Sequence, residues 1–155
     1  MLRFRQAFAA DSPILSKIHE ECFPNYWDSS AFTNFFGIEN TRAVLVELHG
    51  QGKPEPIGMM VYRVVHEQAD IITIAVRPAW RRQGLARSLL KSAFSHAKAL
   101  GATKMFLDVE DGNVAAFGLY TNMGFRQINR RRHYYKQKDA SFTDALVMSC
   151  ELASV

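Results

Sequence analysis

Residues Asp70–Lys91 read DIITIAVRPAWRRQGLARSLLK. An apolar β-type run, Ile71 to Val76, passes a bend marked by Pro78 and enters a short basic loop holding one glycine. From Gly84 to Leu100 the pattern turns helical, with Leu85, Leu89, Leu90, Ala93, Phe94 and Ala97 on one stripe and Arg87, Lys91, Ser95 and Lys98 opposite, and Gly101 ends it. A strand that leads through a basic loop into a helix presents unpaired backbone N–H groups and the positive end of aligned peptide dipoles, so a phosphate-bearing anion suits it.

The loop itself, Arg81-Arg82-Gln83-Gly84-Leu85-Ala86, has the form R-x-x-G-x-A. Gly84 lets a ligand approach the backbone where a Cβ would intrude, and Ala86 keeps the helix start narrow. Taken alone, the six residues fit two descriptions: a tight basic turn before a surface helix, or a cradle for a pyrophosphate. Neither the dinucleotide fingerprint G-x-G-x-x-G nor the nucleotide loop G-x-x-x-x-G-K-[ST] is present.

Working outward, Thr41–Leu48 and Pro56–Val65 read as strands joined by HGQGKPE, an exposed turn by its glycines and proline. Ile71–Val76, apolar on both faces, belongs in the middle of a sheet. At the N-terminus Leu2–Phe8 alternates, predicting a strand with Arg3 and Arg5 on one face and Leu2, Phe4 and Phe8 on the other. Asp11-Ser12-Pro13 opens a helix running to Cys22, and Asp28-Ser29-Ser30 opens another that carries Phe32, Phe35 and Phe36 before Gly37. The aromatic residues Phe23, Tyr26, Trp27, Phe32, Phe35 and Phe36 suit inter-helix packing better than a binding wall.

Downstream, Thr103–Val109 is a strand, Asn113–Met123 a short helix closed by Gly124, Phe125–Arg130 a strand, and Asp144–Leu152 a last strand after a basic loop. On the strand, Asp108 and Glu110 are two residues apart and face one side, while Leu107 and Val109 face the other. On the helix, Asn113 and Tyr120 are seven apart and share a face. A polar stripe therefore converges near the strand end, although each residue also has a plain role: Asn113 as a cap, Tyr120 as core, Asp108 as a solvated side chain.

The 155 residues suit one domain, 1–155, of α/β (α+β) class, with a mixed central sheet of about seven strands and helices on both faces. A hydrophobic share of 48% and a charged share of 22% are those of an ordinary globular chain. The net charge of +4 permits an anionic partner, which a phosphate-rich small molecule satisfies as well as nucleic acid. Cys22 and Cys150 suit reduced thiols. The histidines lack metal-ligand spacing, so no metal site is expected. With no signal-peptide pattern and no membrane-length apolar run, the expectation is a cytoplasmic protein without a membrane partner.

The order strand, R-x-x-G-x-A, helix, strand, N-x-x-A-x-x-x-Y-x-x-x-G-F resembles the GNAT superfamily of acetyl-CoA-dependent N-acetyltransferases. Within it, IAVRPAWRRQGLARSLL, NVAAFGLYTNMGF, RRRHYY and DALVMSCEL are similar to the RimI-type enzymes, which acetylate the N-terminal alanine of a ribosomal protein. The resemblance implies acetyl-CoA as co-substrate. It also implies direct attack by an amine in a ternary complex, the amine being a protein N-terminus or, alternatively, a small molecule. It assigns the pantetheine arm to main-chain groups of Ile74, Ala75 and Val76, and the pyrophosphate to Arg82, Gln83, Gly84, Leu85, Ala86 and Arg87. Asn113 would contact the cofactor, and Tyr120 would stand near the thioester sulfur as proton donor.

One position departs from the pattern. RimI-type enzymes carry a glutamate base where this chain has Asp108, one methylene shorter. A water bridges the gap, or Glu110 on the same face takes the task, or binding geometry carries most of the rate. The basic run Arg126, Arg130, Arg131, Arg132, His133, Lys136 and Lys138 reads as a solvated loop. It would otherwise guide an acidic or ribosome-associated protein, or the 3′-phosphate of the cofactor, with Tyr134 and Tyr135 shaping an acceptor slot. A non-catalytic acyl-CoA-binding module, or a nucleic-acid-binding module using the basic strip, is the alternative of another class. Direct nucleic-acid binding is not expected, because no stacking platform accompanies the basic residues.

Overall fold

The computed structural model describes residues 1–155. Its strands are β1 (Leu2–Ala7), β2 (Thr41–Leu48), β3 (Glu55–Val65), β4 (Gln68–Val76), β5 (Lys104–Glu110), β6 (Arg126–Lys136) and β7 (Phe142–Glu151). The helices are α1 (Ser12–Cys22), α2 (Ser29–Phe36), α3 (Leu85–Ala99) and α4 (Val114–Asn122). The seven strands form one mixed sheet in the order β1-β2-β3-β4-β5-β7-β6. β4 and β5 pair in parallel, whereas β1–β2, β2–β3, β5–β7 and β6–β7 are antiparallel. No helix is long and apolar enough to cross a membrane.

By backbone contacts the chain divides into two compact units, Met1–Arg63 with Ile72–Leu90, and Val64–Ile71 with Lys91–Val155. In the first, Ala7, Leu15, Ile18, Phe32, Ala43, Leu45, Met59, Val61 and Ala75 form a buried cluster, against which Trp27, Phe35 and Phe36 pack. The aromatic stretch is thus largely packing, as its spacing suggests, although Phe23 and Tyr26 stay exposed. Asp28 caps α2 by accepting the Ala31 N–H at 2.9 Å. At Gly58 β3 lies so close to β4 that an added Cβ would stand 3.3 Å from the Ala75 carbonyl oxygen.

β1 alternates as its sequence suggests: Leu2, Phe4 and, just past the strand, Phe8 are exposed, while on the other face Ala7 is buried and Arg5 is half-buried. Arg5 is drawn in because Asp11 and Glu47 each pair with its guanidinium, at 2.9 and 3.0 Å. In the second unit, Arg131–Lys136 is not loop but the continuation of β6 to Lys136. Local charge density hid the strand, since an edge strand with its side chains exposed loses the alternation that marks a half-buried one.

Candidate active site

The residues singled out by sequence fall in two places, one in each unit. In the first unit β4 ends at Val76 and a turn over Pro78–Trp80 leads to the basic loop. Arg77 anchors that turn. Its guanidinium meets Glu21 at 2.7 Å and donates to the Pro56 carbonyl at 3.2 Å, while its N–H donates to the Ile57 carbonyl at 2.9 Å. Arg81, the first residue of the R-x-x-G-x-A motif, turns back and donates from Nε to the Val76 carbonyl at 3.1 Å. That oxygen also accepts the Cys22 thiol at 3.4 Å, so the motif's leading arginine secures the strand end.

Beyond Arg81 the backbone is exposed and unusually bent. Arg82 and Gly84 both have left-handed φ, +64° and +77°, and nothing lies within 4 Å of where a Cβ on Gly84 would stand. The first helical hydrogen bond runs from the Ser88 N–H to the Gly84 carbonyl at 3.0 Å, so the N–H groups of Leu85, Ala86 and Arg87 precede the helical ladder. An exposed basic loop, backbone with left-handed φ at Arg82 and Gly84, and the start of a helix dipole together fit a pyrophosphate. Ile74 is partly buried and Ala75 and Val76 are buried on β4.

The second unit holds the titratable groups. β5 alternates as its sequence predicts, with Met105, Leu107 and Val109 buried and Asp108 and Glu110 partly exposed. The registers of β5 and β6 against β7 carry the arrangement further. Asp108 lies opposite Val147 and Glu110 opposite Ala145, while Arg131 of β6 lies opposite Ala145 and Tyr135 opposite Thr143. Since directly paired residues and every second residue share a face, Asp108, Glu110, Arg131, Tyr135 and Thr143 stand on one side of the sheet.

Asp108 stands 3.7 Å from the Arg131 guanidinium. Burial nonetheless raises its carboxyl above the usual aspartate range, the opposing pull of Arg131 being partly cancelled by Asp70. Tyr135 is raised by burial and by the nearby acidic and phenolic groups Asp108, Tyr134, Glu110 and Tyr120. Tyr120 on α4 is 8% exposed, and burial pushes its phenol up to about 12. It packs edge-on against Phe125, at 5.9 Å between ring centroids.

Glu110 has two close partners: its Oε1 accepts from Thr143 Oγ1 at 2.6 Å and from Gln137 Nε2 at 2.7 Å. Asn113 is the N-cap of α4, its side-chain oxygen accepting the Ala116 N–H at 3.2 Å. The basic strip is in part internally neutralised, since Arg130 bridges Asp111 and Asp144 at 2.7 and 2.8 Å and Arg131 lies over the Tyr134 ring at 5.8 Å.

The structure therefore gathers Asp108, Glu110 and Tyr120 around Tyr135, and it keeps Arg82, Gln83 and Gly84 on one exposed loop that runs into the first turn of α3 at Leu85 to Arg87. Sequence reasoning passed over Gln137 and Thr143 as working parts; Arg81 stood in it only as the leading residue of the motif, and Arg131 only as one of the basic run. The partners of Gln137 and Thr143 are set by strand register.

Residues 13–125 match the family described as Acetyltransferase (GNAT) family. The chain is 29% identical over 143 residues to a "[Ribosomal protein bS18]-alanine N-acetyltransferase" of Escherichia coli (strain K12), covering 92% of this chain and 93% of that one. Its fold is similar to the crystal structure of the ribosomal-protein-S18-alanine N-acetyltransferase from Escherichia coli, with a TM-score of 0.87 at 26% identity, covering 98% and 94% of the two chains. Arabidopsis thaliana NAA60, solved in complex with acetyl-CoA, shares the fold at a TM-score of 0.87 and 20% identity, over 99% of both chains.

Proposed function

The chain belongs to the GNAT family of acetyltransferases and is an acetyl-CoA-dependent N-acetyltransferase, and from that premise we propose that its acceptor is the α-amino group of a protein beginning with alanine, a ribosomal protein foremost. The relatives' substrate supports this acceptor. The observation that carries the chemistry is the register that puts Asp108, Arg131 and Tyr135 on one face, with Tyr120 close enough to Tyr135 to act on its phenol.

Acetyl-CoA, when bound, supplies a thioester carbonyl open to attack by a neutral amine. Backbone N–H groups from Arg82 to Arg87, across the loop and the start of α3, hold the pyrophosphate, and main-chain groups of Ile74, Ala75 and Val76 receive the pantetheine arm. The Val76 carbonyl is already taken by Arg81 and Cys22, so any contact made there falls to its N–H. Asn113 contributes chiefly as the cap that fixes the start of α4, and thereby Tyr120.

An α-amino group of pKa about 8 is roughly a tenth neutral near pH 7, so the base has little to do. The Asp108 carboxylate takes the proton the amine sheds, directly or through one water, and its raised pKa makes it a better base than a solvated aspartate. Glu110 serves less well, because its Oε1 is already held by two donors. With its pKa near 12, Tyr120 keeps its proton at any working pH. It therefore acts as a steady hydrogen-bond donor to the departing sulfur, whose thiol has a pKa of about 8.5 by analogy with cysteine, and full transfer to that sulfur is uphill.

The test is thiol release from acetyl-CoA with a panel of peptides and small amines. Peptides that begin with alanine should turn over, whereas the same peptides blocked at the α-amino group but carrying a free lysine should not. Faster turnover of polyamines or free amino acids would replace the protein acceptor by a small one. Binding of acetyl-CoA without turnover of any amine would make the chain a sensor.

A further inference from the structure

The turn between β6 and β7 is closed by its own hydrogen bonds. The Gln137 N–H donates to the Ser141 carbonyl at 2.7 Å and the Ala140 N–H to the Gln137 carbonyl at 3.1 Å, while Asp139 accepts both the N–H and the hydroxyl of Ser141. From the two sides of this turn, Gln137 and Thr143 reach one oxygen of Glu110 on β5, and Gln137 Nε2 also donates to Thr143 Oγ1 at 3.0 Å. The three side chains close a ring of hydrogen bonds in which the threonine hydroxyl both accepts and donates. All three are half-buried, so the ring is shielded from competing water.

The backbone ladder leaves this ring something to do. Between the pairs Arg131↔Ala145 and Tyr135↔Thr143, β6 advances four residues while β7 advances two. His133, inside that bulge, has a left-handed φ of +53°. An irregular ladder fixes Tyr135 poorly, because the bulge separates it from the regular pairing at Arg131. The pair that re-establishes register is Tyr135↔Thr143, and Thr143 is the residue whose hydroxyl is tied to Glu110.

We propose that Gln137 and Thr143 are positioning residues for acetyl transfer, which act through Glu110 to seat the β6–β7 hairpin so that Arg131 and Tyr135 stand beside Asp108. This rests on the acetyltransferase reading above. It assigns Glu110 a different task from Asp108: the first holds the hairpin, the second handles the proton. The groups that face Asp108 are Asp70 of β4, Glu110 of its own strand, and Arg131 and Tyr135 of β6, and of these Arg131 and Asp70, beside burial, shift its titration. Two of these four ride on the hairpin.

The experiment compares Gln137→Leu, Thr143→Val, their double variant and Thr143→Ser with the wild type. In the double variant the KM for an alanine-initiated peptide should rise about tenfold while the KM for acetyl-CoA stays within twofold. The acid limb of kcat/KM against pH should move to lower pH as Asp108 loses its cover. Thr143→Ser, which keeps the hydroxyl, should restore both. Hydrogen exchange on the protein alone should show faster exchange over residues 131–143 in the double variant. Equal loss in both KM values would mark a general structural defect and overturn the proposal. So would unchanged exchange, or faster exchange with peptide KM and pH profile intact. A wild type inert toward every peptide and amine overturns the acetyltransferase reading itself, and shows before any variant is compared.

Discussion

His19 and Asp108 are both titratable groups shifted by burial, and the protein treats them in opposite ways. His19, on α1, is 3% exposed and lies flat against Trp27 at 4.6 Å, tilted to Phe23 at 4.3 Å and edge-on to Phe32 at 5.5 Å. Its Nδ1 accepts the Trp27 N–H at 3.0 Å, a bond that a ring protonated at that nitrogen cannot make. Burial without a counter-charge drives its pKa down to about 4. Asp108 is also desolvated, but its side chain keeps 29% exposure and has an arginine at 3.7 Å. Burial with a single neutral partner freezes a proton state, whereas burial with nearby charges and a path to water leaves it exchangeable.

That contrast is sharpened most by acid. The unfolded histidine protonates near pH 6.5 and the folded one near 4, so the stability tied to neutral His19 is fully present above 6.5 and is lost as pH falls through that window. The difference of about 2.5 units corresponds to roughly 3 kcal/mol of unfolding free energy. Urea unfolding at a series of pH values should show the slope, and His19→Gln should flatten it. Asp11, whose pKa is lowered by its bond to Arg5, acts below its usual 3.8 and so outside the window. A slope that persists in His19→Gln would place the proton elsewhere.

On the other side of the comparison, Tyr120→Phe removes one oxygen and should lower kcat roughly 100-fold, about 2.7 kcal/mol of barrier. Intact near-ultraviolet dichroism would show that the core around Phe125 has survived. Next in size, Asp108→Asn should lower kcat/KM at least tenfold, about 1.4 kcal/mol, and erase the acid limb of the pH profile. Because the raised pKa means that ionised Asp108 costs the folded state free energy above that value, the same variant should melt no lower than wild type at neutral pH. An unchanged rate and profile would remove Asp108 as the base.

The smallest effect expected is at the anion loop. Alanine at Gly84, where φ is +77°, would be strained by about 1 kcal/mol, a rise of several-fold in the KM for acetyl-CoA. The KM for the acceptor should not follow. If the acceptor term changes instead, the loop serves a different ligand.

Much of this is legible in the sequence. Asp28 and Gly37 bound α2, and the alternation of Met105, Leu107 and Val109 places Asp108 and Glu110 together on the opposite face, because caps and periodicity act within a few residues. The edges of the molecule were less legible. β1 turned its apolar side outward for Arg5, whose partner Glu47 is 42 residues away, and β6 ran on through a stretch whose charges resemble a loop. His19 gave no warning of its burial, since one histidine on a helix reads alike whether it packs or points outward.

What the sequence determined by itself was local: the strand, basic loop and helix of Asp70–Lys91, the open backbone at Gly84, and the β5 carboxylates on one face. Each follows from steric and hydrogen-bonding preferences over a turn or two of chain. Only the tertiary structure decided how those carboxylates divide their labour. Glu110 is held by residues 27 and 33 positions further along the chain, and strand register together with the β6–β7 turn brings them within 2.7 Å. Asp108 lacks such a clamp, and desolvation beside Arg131 sets its proton affinity.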